Sequence, residues 1–145
     1  DARDAFFQAP ARVLVCAASS GTLTDARLDQ LSSAGVDVIA AGANQPFRER
    51  QLGSTRVHRI ADGRFAVLTD FLANLGMART FSYLMEVGAA AKTESGAVPS
   101  VESTFRAVDE TIGKEVDAML ERASRPDRGL MATTLGLALD RIGAP

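Results

Sequence analysis

The stretch Arg12-Val-Leu-Val-Cys16-Ala-Ala-Ser-Ser-Gly21-Thr-Leu-Thr24-Asp-Ala-Arg-Leu28-Asp-Gln-Leu-Ser-Ser-Ala-Gly35-Val36-Asp-Val-Ile-Ala-Ala41 holds two short apolar runs, 12–16 and 36–41, with one helix-sized segment between them. Both ends of that segment are marked. Thr24 is an N-cap residue, Leu23 and Leu28 stand at the N′ and N4 positions of a hydrophobic staple, and Gly35 stands at C′. The first run is continuous rather than alternating, as in a parallel strand covered on both faces. Strand, helix and strand within about 30 residues make a βαβ unit.

Working outward, Phe65-Ala-Val-Leu-Thr69 is a third continuous run. The connection from Asn44 to Arg64 is less legible: Pro46-Phe47-Arg48-Glu49-Arg50 suggests a short helix and Asp62-Gly63 a turn. Beyond the third run the chain is helical. Met77, Phe81, Leu84 and Gly88 share one face of a segment beginning near Ala73. After a break at 93–100, Val101, Phe105, Val108, Ile112, Val116, Met119 and Ala123 recur at spacings of four and three, with Ser100 as N-cap. A last helix carries Met131, Leu135, Ala138 and Ile142. These stripes are first of all packing surfaces, for a core or for a second subunit.

Composition excludes several classes. With 145 residues and a net charge of −2, the chain lacks the basic excess that nucleic-acid phosphates call for. No apolar run is long enough to span a bilayer, so neither nucleic acid nor membrane is an expected partner. The opening Asp1-Ala-Arg-Asp4 shows no signal-peptide pattern. One cysteine, Cys16, and one histidine, His58, cannot supply a disulfide or a zinc site. A soluble protein of the cytoplasm is expected, with no metal. There are 14 Arg against 2 Lys (Lys92 and Lys114), which leaves lysine chemistry almost no place.

In parallel α/β sheets ligands bind beyond the carboxyl ends of the strands. The segments that follow the three runs are Ala17-Ala18-Ser19-Ser20-Gly21, Gly42-Ala43-Asn44-Gln45-Pro46 and Asp70-Phe71-Leu72-Ala73-Asn74-Leu75-Gly76. All pair small residues, which admit a flat ligand to the backbone, with amide, hydroxyl or carboxylate groups. Asn44 and Asn74 each offer a donor and an acceptor, and both are equally at home as turn or capping residues. Nothing there pairs a nucleophile with a base.

In order and spacing, Val-Leu-Val-Cys16-Ala17-Ala18, Ala41-Gly42-Ala43-Asn44 and Asp70-Phe-Leu-Ala-Asn74-Leu-Gly76 resemble the nucleotide-domain motifs of the glutamate/leucine/phenylalanine/valine dehydrogenase family. That family's pattern is roughly Leu-Val-Pro-Ala-Ala, Gly-Ala-Asn and Pro-Asp-x-x-x-Asn-Ala-Gly-Gly. The resemblance covers about residues 10–92. It implies an α/β, partial Rossmann-like fold: the second half of a doubly wound parallel sheet, about three strands, in residues 1–92, followed by a C-terminal helical segment in 93–145 that packs on it or on a partner subunit. It also implies oxidative deamination of an L-amino acid by hydride transfer to the nicotinamide of NAD or NADP, in a homo-oligomer. Ala17 and Ala18 then form the surface beside the nicotinamide. Asn44 contacts its ribose, and Asn74 lies near the carboxamide or the amino-acid substrate. Gly76, Met77 and Phe81 fall beside the substrate.

The departures are equally specific. Cys16 and Thr69 stand where the family has Pro, Met77 replaces the second Gly, and Phe81 replaces the Ser that holds a glutamate side chain in glutamate-specific members. No Gly-x-Gly-x-x-Gly turn and no lysine-bearing substrate domain is present. No catalytic residue is therefore expected in this chain, which reads as a dehydrogenase fragment, inactive alone. The alternative is a stand-alone α/β binding or interaction module without redox chemistry; a third reading is a helical oligomerisation segment fused to half a sheet. In the half-sheet reading the 12–16 strand loses a neighbour, and its outer edge is expected to be covered by another chain or by local helices.

Overall fold

Three parallel strands, β1 (Val13–Val15), β2 (Val38–Ala40) and β3 (Ala66–Leu68), pair in the order β1-β2-β3. The computed structural model describes residues 2–91 and 99–143. Among these, α1 (Ala2–Gln8) precedes the sheet, α2 (Asp25–Ser33) joins β1 to β2, and α3 (Arg56–Arg64) joins β2 to β3. The chain continues through α4 (Asp70–Ala73), α5 (Leu75–Ala91), α6 (Val101–Arg122) and α7 (Leu130–Gly143). This is an α/β protein with a small parallel sheet followed by helices.

The punctuation of α2 explains why the chain turns where it does. The Thr24 hydroxyl accepts from the Arg27 amide, and Leu23 and Leu28 are both fully buried, as a staple requires. At the other end Val36 N donates to Leu31 O and Gly35 N to Ser32 O, a Schellman motif closed by Gly35 at φ +84°. The register sets Leu14, Ile39 and Val67 side by side on the face that α2 and α3 cover. Each fully buried aliphatic side chain in that layer contributes about 1.5–3 kcal/mol.

The opposite face is covered unevenly. Leu72, Met119 and Leu130 pack over Ala66 and Leu68 of β3, which ties α4, α6 and α7 to that side. Over β1 the cover is missing: Val13 is 54% exposed and Val15 65%. Continuous β1 therefore has one covered face, not two, because the second helical layer stops short of it. Among the described residues its outer edge pairs with no strand either. Arg12 O accepts from Val38 N and Cys16 N donates to Ala40 O, which turns the amides of Val13 and Val15 away from β2. Helix α1 buries Phe7 in the main cluster and stacks it under Arg27 of α2 at 4.6 Å.

The 44–64 connection departs most from expectation. Residues 46–50 are not helical; Phe47 pairs with Leu23 in an isolated parallel bridge, which extends the strand-end loops. Asp62 and Gly63 are no turn but lie inside α3, whose first amides, Val57 N and His58 N, donate to Oε1 of Glu49. Asp62 carries a second long-range tie, its carboxylate accepting from Met131 N at 2.8 Å and Ala132 N at 3.1 Å. It thereby caps α7, whose preceding residue, Gly129, has no side chain to do so. The helix expected from near Ala73 begins at Leu75 as α5, after Asn74 ends the short α4 that opens the segment following β3, and Ser100 caps α6 through the Ser103 amide. The first two positions of the α6 stripe do not reach a core: Val101 and Phe105 are exposed, whereas Met119 is buried. Lys92 and the 93–98 part of the expected break lie outside the described residues.

Candidate functional site

The three strands end on one side, and their loops are knitted to each other. Ala43 N donates to Cys16 O, Ser20 Oγ to Asn44 O and Gly21 N to Gln45 O. Gly42 is favoured here by contact: a Cβ at this position would lie 3.1 Å from the Ala17 methyl, tighter than ordinary packing, so Ala17 would have to give by a few tenths of an ångström. Gln45 adopts φ +48°, an uncommon left-handed conformation for a side-chain-bearing residue, and its amide is held by Oδ2 of Asp70 at 2.8 Å. Asp70, whose other carboxylate oxygen accepts from Phe71 N, is thus a loop-fixing residue between the second and third tips.

Above these tips lies an open cleft of about 650 Å³. Ala17, Ala18, Asn44, Asn74, Met77 and Phe81 all line it, so six of the seven residues singled out in the sequence come together. Gly76 does not: it is turned toward α6, where its nearest neighbour is Val108. Asn74 donates through Nδ2 to Oδ1 of Asn44, which joins the second and third loops across the floor. That bond leaves the Asn44 amide group and the Asn74 carbonyl for a ligand. Met77 and Phe81 form a wall that is 67% and 60% exposed.

Ser19, Ser20, Gly42, Ala43 and Ala78 complete the lining. Ala78 was not singled out, although the signal was present: Asn74, Met77, Ala78 and Phe81 are spaced three, four and seven apart, one helical face. No lining residue is ionisable. Directly beneath, burial pushes the Cys16 thiol up, and the opposing effects of the Thr22 hydroxyl and Arg27 do not reverse it, so Cys16 is a poor nucleophile. A neutral, small-residue floor with two amides and an apolar wall can bind and orient a flat polar ligand. Among the described residues no cluster of three metal-ligating side chains occurs, and no helix is long and apolar enough to cross a membrane.

The chain matches no protein-family model and no curated protein. Any assignment therefore rests on the three loop motifs and the cleft they form.

Proposed function

We propose that this chain is the second half of the dinucleotide-binding domain of an NAD- or NADP-dependent L-amino-acid dehydrogenase, and that the strand-end cleft takes the nicotinamide and its ribose. The observation that carries the proposal is convergence: three motifs, distant in sequence and resembling one family in order and spacing, meet in a single cleft beyond three parallel strand ends. The residues fit the group. Ala17, Ala18 and the Gly42 approach leave the backbone accessible to a flat ring, and Asn44 and Asn74 supply donors and acceptors of the kind a carboxamide and ribose need. The bound cofactor would supply the hydride-accepting ring; this chain would bind it, orient it and screen one side with Met77 and Phe81. The apolar Phe81 disfavours a glutamate side chain. The absence of any acid or base in the lining fits a reaction whose catalytic lysine lies elsewhere.

A neutral cleft also suits a binding module without redox chemistry, and one assay separates the two. The product of the complete encoding reading frame should oxidatively deaminate an L-amino acid with NAD or NADP. Asn44→Ala in that protein should lower kcat/KM for the cofactor by an amount equivalent to about 1–3 kcal/mol. No activity on any proteinogenic L-amino acid with either cofactor overturns the proposal.

A further inference from the structure

Beside the strand-end cleft, and sharing Ser19 and Ser20 with it, lies a second open cleft of about 590 Å³ with a different chemistry. It holds two guanidiniums, Arg27 and Arg48, against one carboxylate, Asp4. Both guanidiniums address the same turn of chain. Arg27 donates through Nη1 to Thr22 O at 2.6 Å and lies 4.6 Å from the Phe7 ring centre, contacts that leave its other N–H groups unspent. Arg48 lies over Gly21, where a Cβ would come within 3.3 Å of its Nε, and its backbone amide is fixed by Leu23 O at 2.7 Å. Among the described residues neither is ion-paired, unlike Arg56 and Arg64 of α3. The hydroxyl protons of the cleft are already committed: Ser20 donates to Asn44 O, Thr22 to Ser19 O, and Ser19 therefore to the Thr22 oxygen. The unspent donors are guanidinium N–H groups, so the cleft rejects a cation and favours an anion.

Charge narrows the anion. A carboxylate satisfies one guanidinium fork and leaves the second positive charge unmatched, whereas a phosphoryl group carries about −1.5 to −2 near pH 7. We propose that this cleft is a binding subsite for a phosphate dianion, held between Arg27 and Arg48 over the Gly21–Thr22 turn. The phosphate is either free or the end of a molecule whose body reaches past Ser19 and Ser20 into the strand-end cleft. The subsite goes beyond the nicotinamide reading and stands without it.

Titration of the chain with inorganic phosphate at constant ionic strength, followed by NMR of backbone amides and arginine Nε–H groups, tests the proposal. Saturable shifts are expected at Gly21, Thr22, Arg27 and Arg48, and acetate should bind about tenfold more weakly. Arg48→Gln changes an exposed side chain and keeps the backbone bond to Leu23. It should weaken phosphate binding about fivefold or more, and Asp4→Asn should tighten it about twofold. Ribose 5-phosphate separates the two sources. Tighter binding than phosphate, with added shifts at Ser19, Ser20 and Asn44, assigns the phosphoryl group to a molecule lying in both clefts; equal binding assigns a free phosphate. Either result supports the subsite. Linear shifts, or shifts of equal size at the exposed Arg50 and Arg59 outside the cleft, overturn it. So does acetate that binds as tightly as phosphate, or a folded Arg48→Gln chain that binds phosphate undiminished.

Discussion

Removing the Asp62 carboxylate should loosen the entire C-terminal helix. Asp62 is 8% exposed and accepts from the Met131 and Ala132 amides at 2.8 and 3.1 Å. Both donors belong to the first turn of α7, which has no cap of its own because Gly129 precedes it. A hydrogen bond to a charged group contributes about 1.5–3 kcal/mol, and a carboxylate at a helix N-terminus about 0.3–1 kcal/mol through the dipole. Truncation lets water reach part of the freed turn, so Asp62→Ala should cost about 3 kcal/mol. That is a large share of a typical domain stability of about 5–15 kcal/mol. Asp62→Asn keeps one acceptor oxygen and should cost about half as much. Urea denaturation followed by circular dichroism reads the total, and hydrogen exchange reads where it falls. Exchange should quicken first along α7, since Gly129 N, bonded to the Asp62 carbonyl at 2.9 Å, keeps only the entry to the helix in place. A loss below about 0.5 kcal/mol, the range of ordinary surface changes, with unaltered exchange in α7, would refute this reasoning.

Three further changes probe other joints. Burial pushes the Glu49 carboxyl upward, but hydrogen bonds from His58, Ser54 and the Val57 amide outweigh it and bring it from 4.5 to about 2. A depressed carboxylate stabilises fully above its unfolded value and loses that effect as pH falls from 4.5 toward 2. Glu49→Gln should therefore cost about 2 kcal/mol at neutral pH and flatten the acid limb of a stability curve; parallel curves for the two proteins contradict this. Thr69 is buried with its hydroxyl unpartnered, so Thr69→Val should be neutral or stabilising by up to about 1 kcal/mol, and a clear loss in thermal denaturation counts against it. At Gly35 the space for a Cβ is open and only the φ of +84° opposes a side chain. Gly35→Ala should cost about 1–2 kcal/mol, and an unchanged urea midpoint would show that the Schellman turn tolerates it.

What the sequence disclosed depended on how local the physics was. Thr24, Gly35 and Ser100 act within one turn of their own helices, and each end they mark stands where the residue type says it should. The loops after the strands were legible for a related reason: a parallel sheet sends all its strand ends to one side, so Ala17, Asn44 and Asn74 had to meet once the strands were identified. The 44–64 segment was not, because its order comes from distant partners. Phe47 extends along Leu23 rather than coiling, and Asp62-Gly63 stays helical with its carboxylate serving amides about seventy positions away. Gly76 was assigned to the site by motif alone, and the winding of α5 turns it to Val108. Apolar runs likewise report what can be buried, not what is: Val15, Phe81 and Phe105 read as core or interface and are exposed in this chain.

Titration of the chain with nicotinamide mononucleotide, followed by backbone amide NMR, tests most directly the proposal that the strand-end cleft takes a nicotinamide. Weak, millimolar saturation is expected, with shifts gathered at Ala18, Asn44, Asn74 and Phe81 and lost in Asn44→Ala. Equal shifts with adenosine monophosphate, or nicotinamide mononucleotide shifts that leave the three strand-end loops untouched, would contradict it.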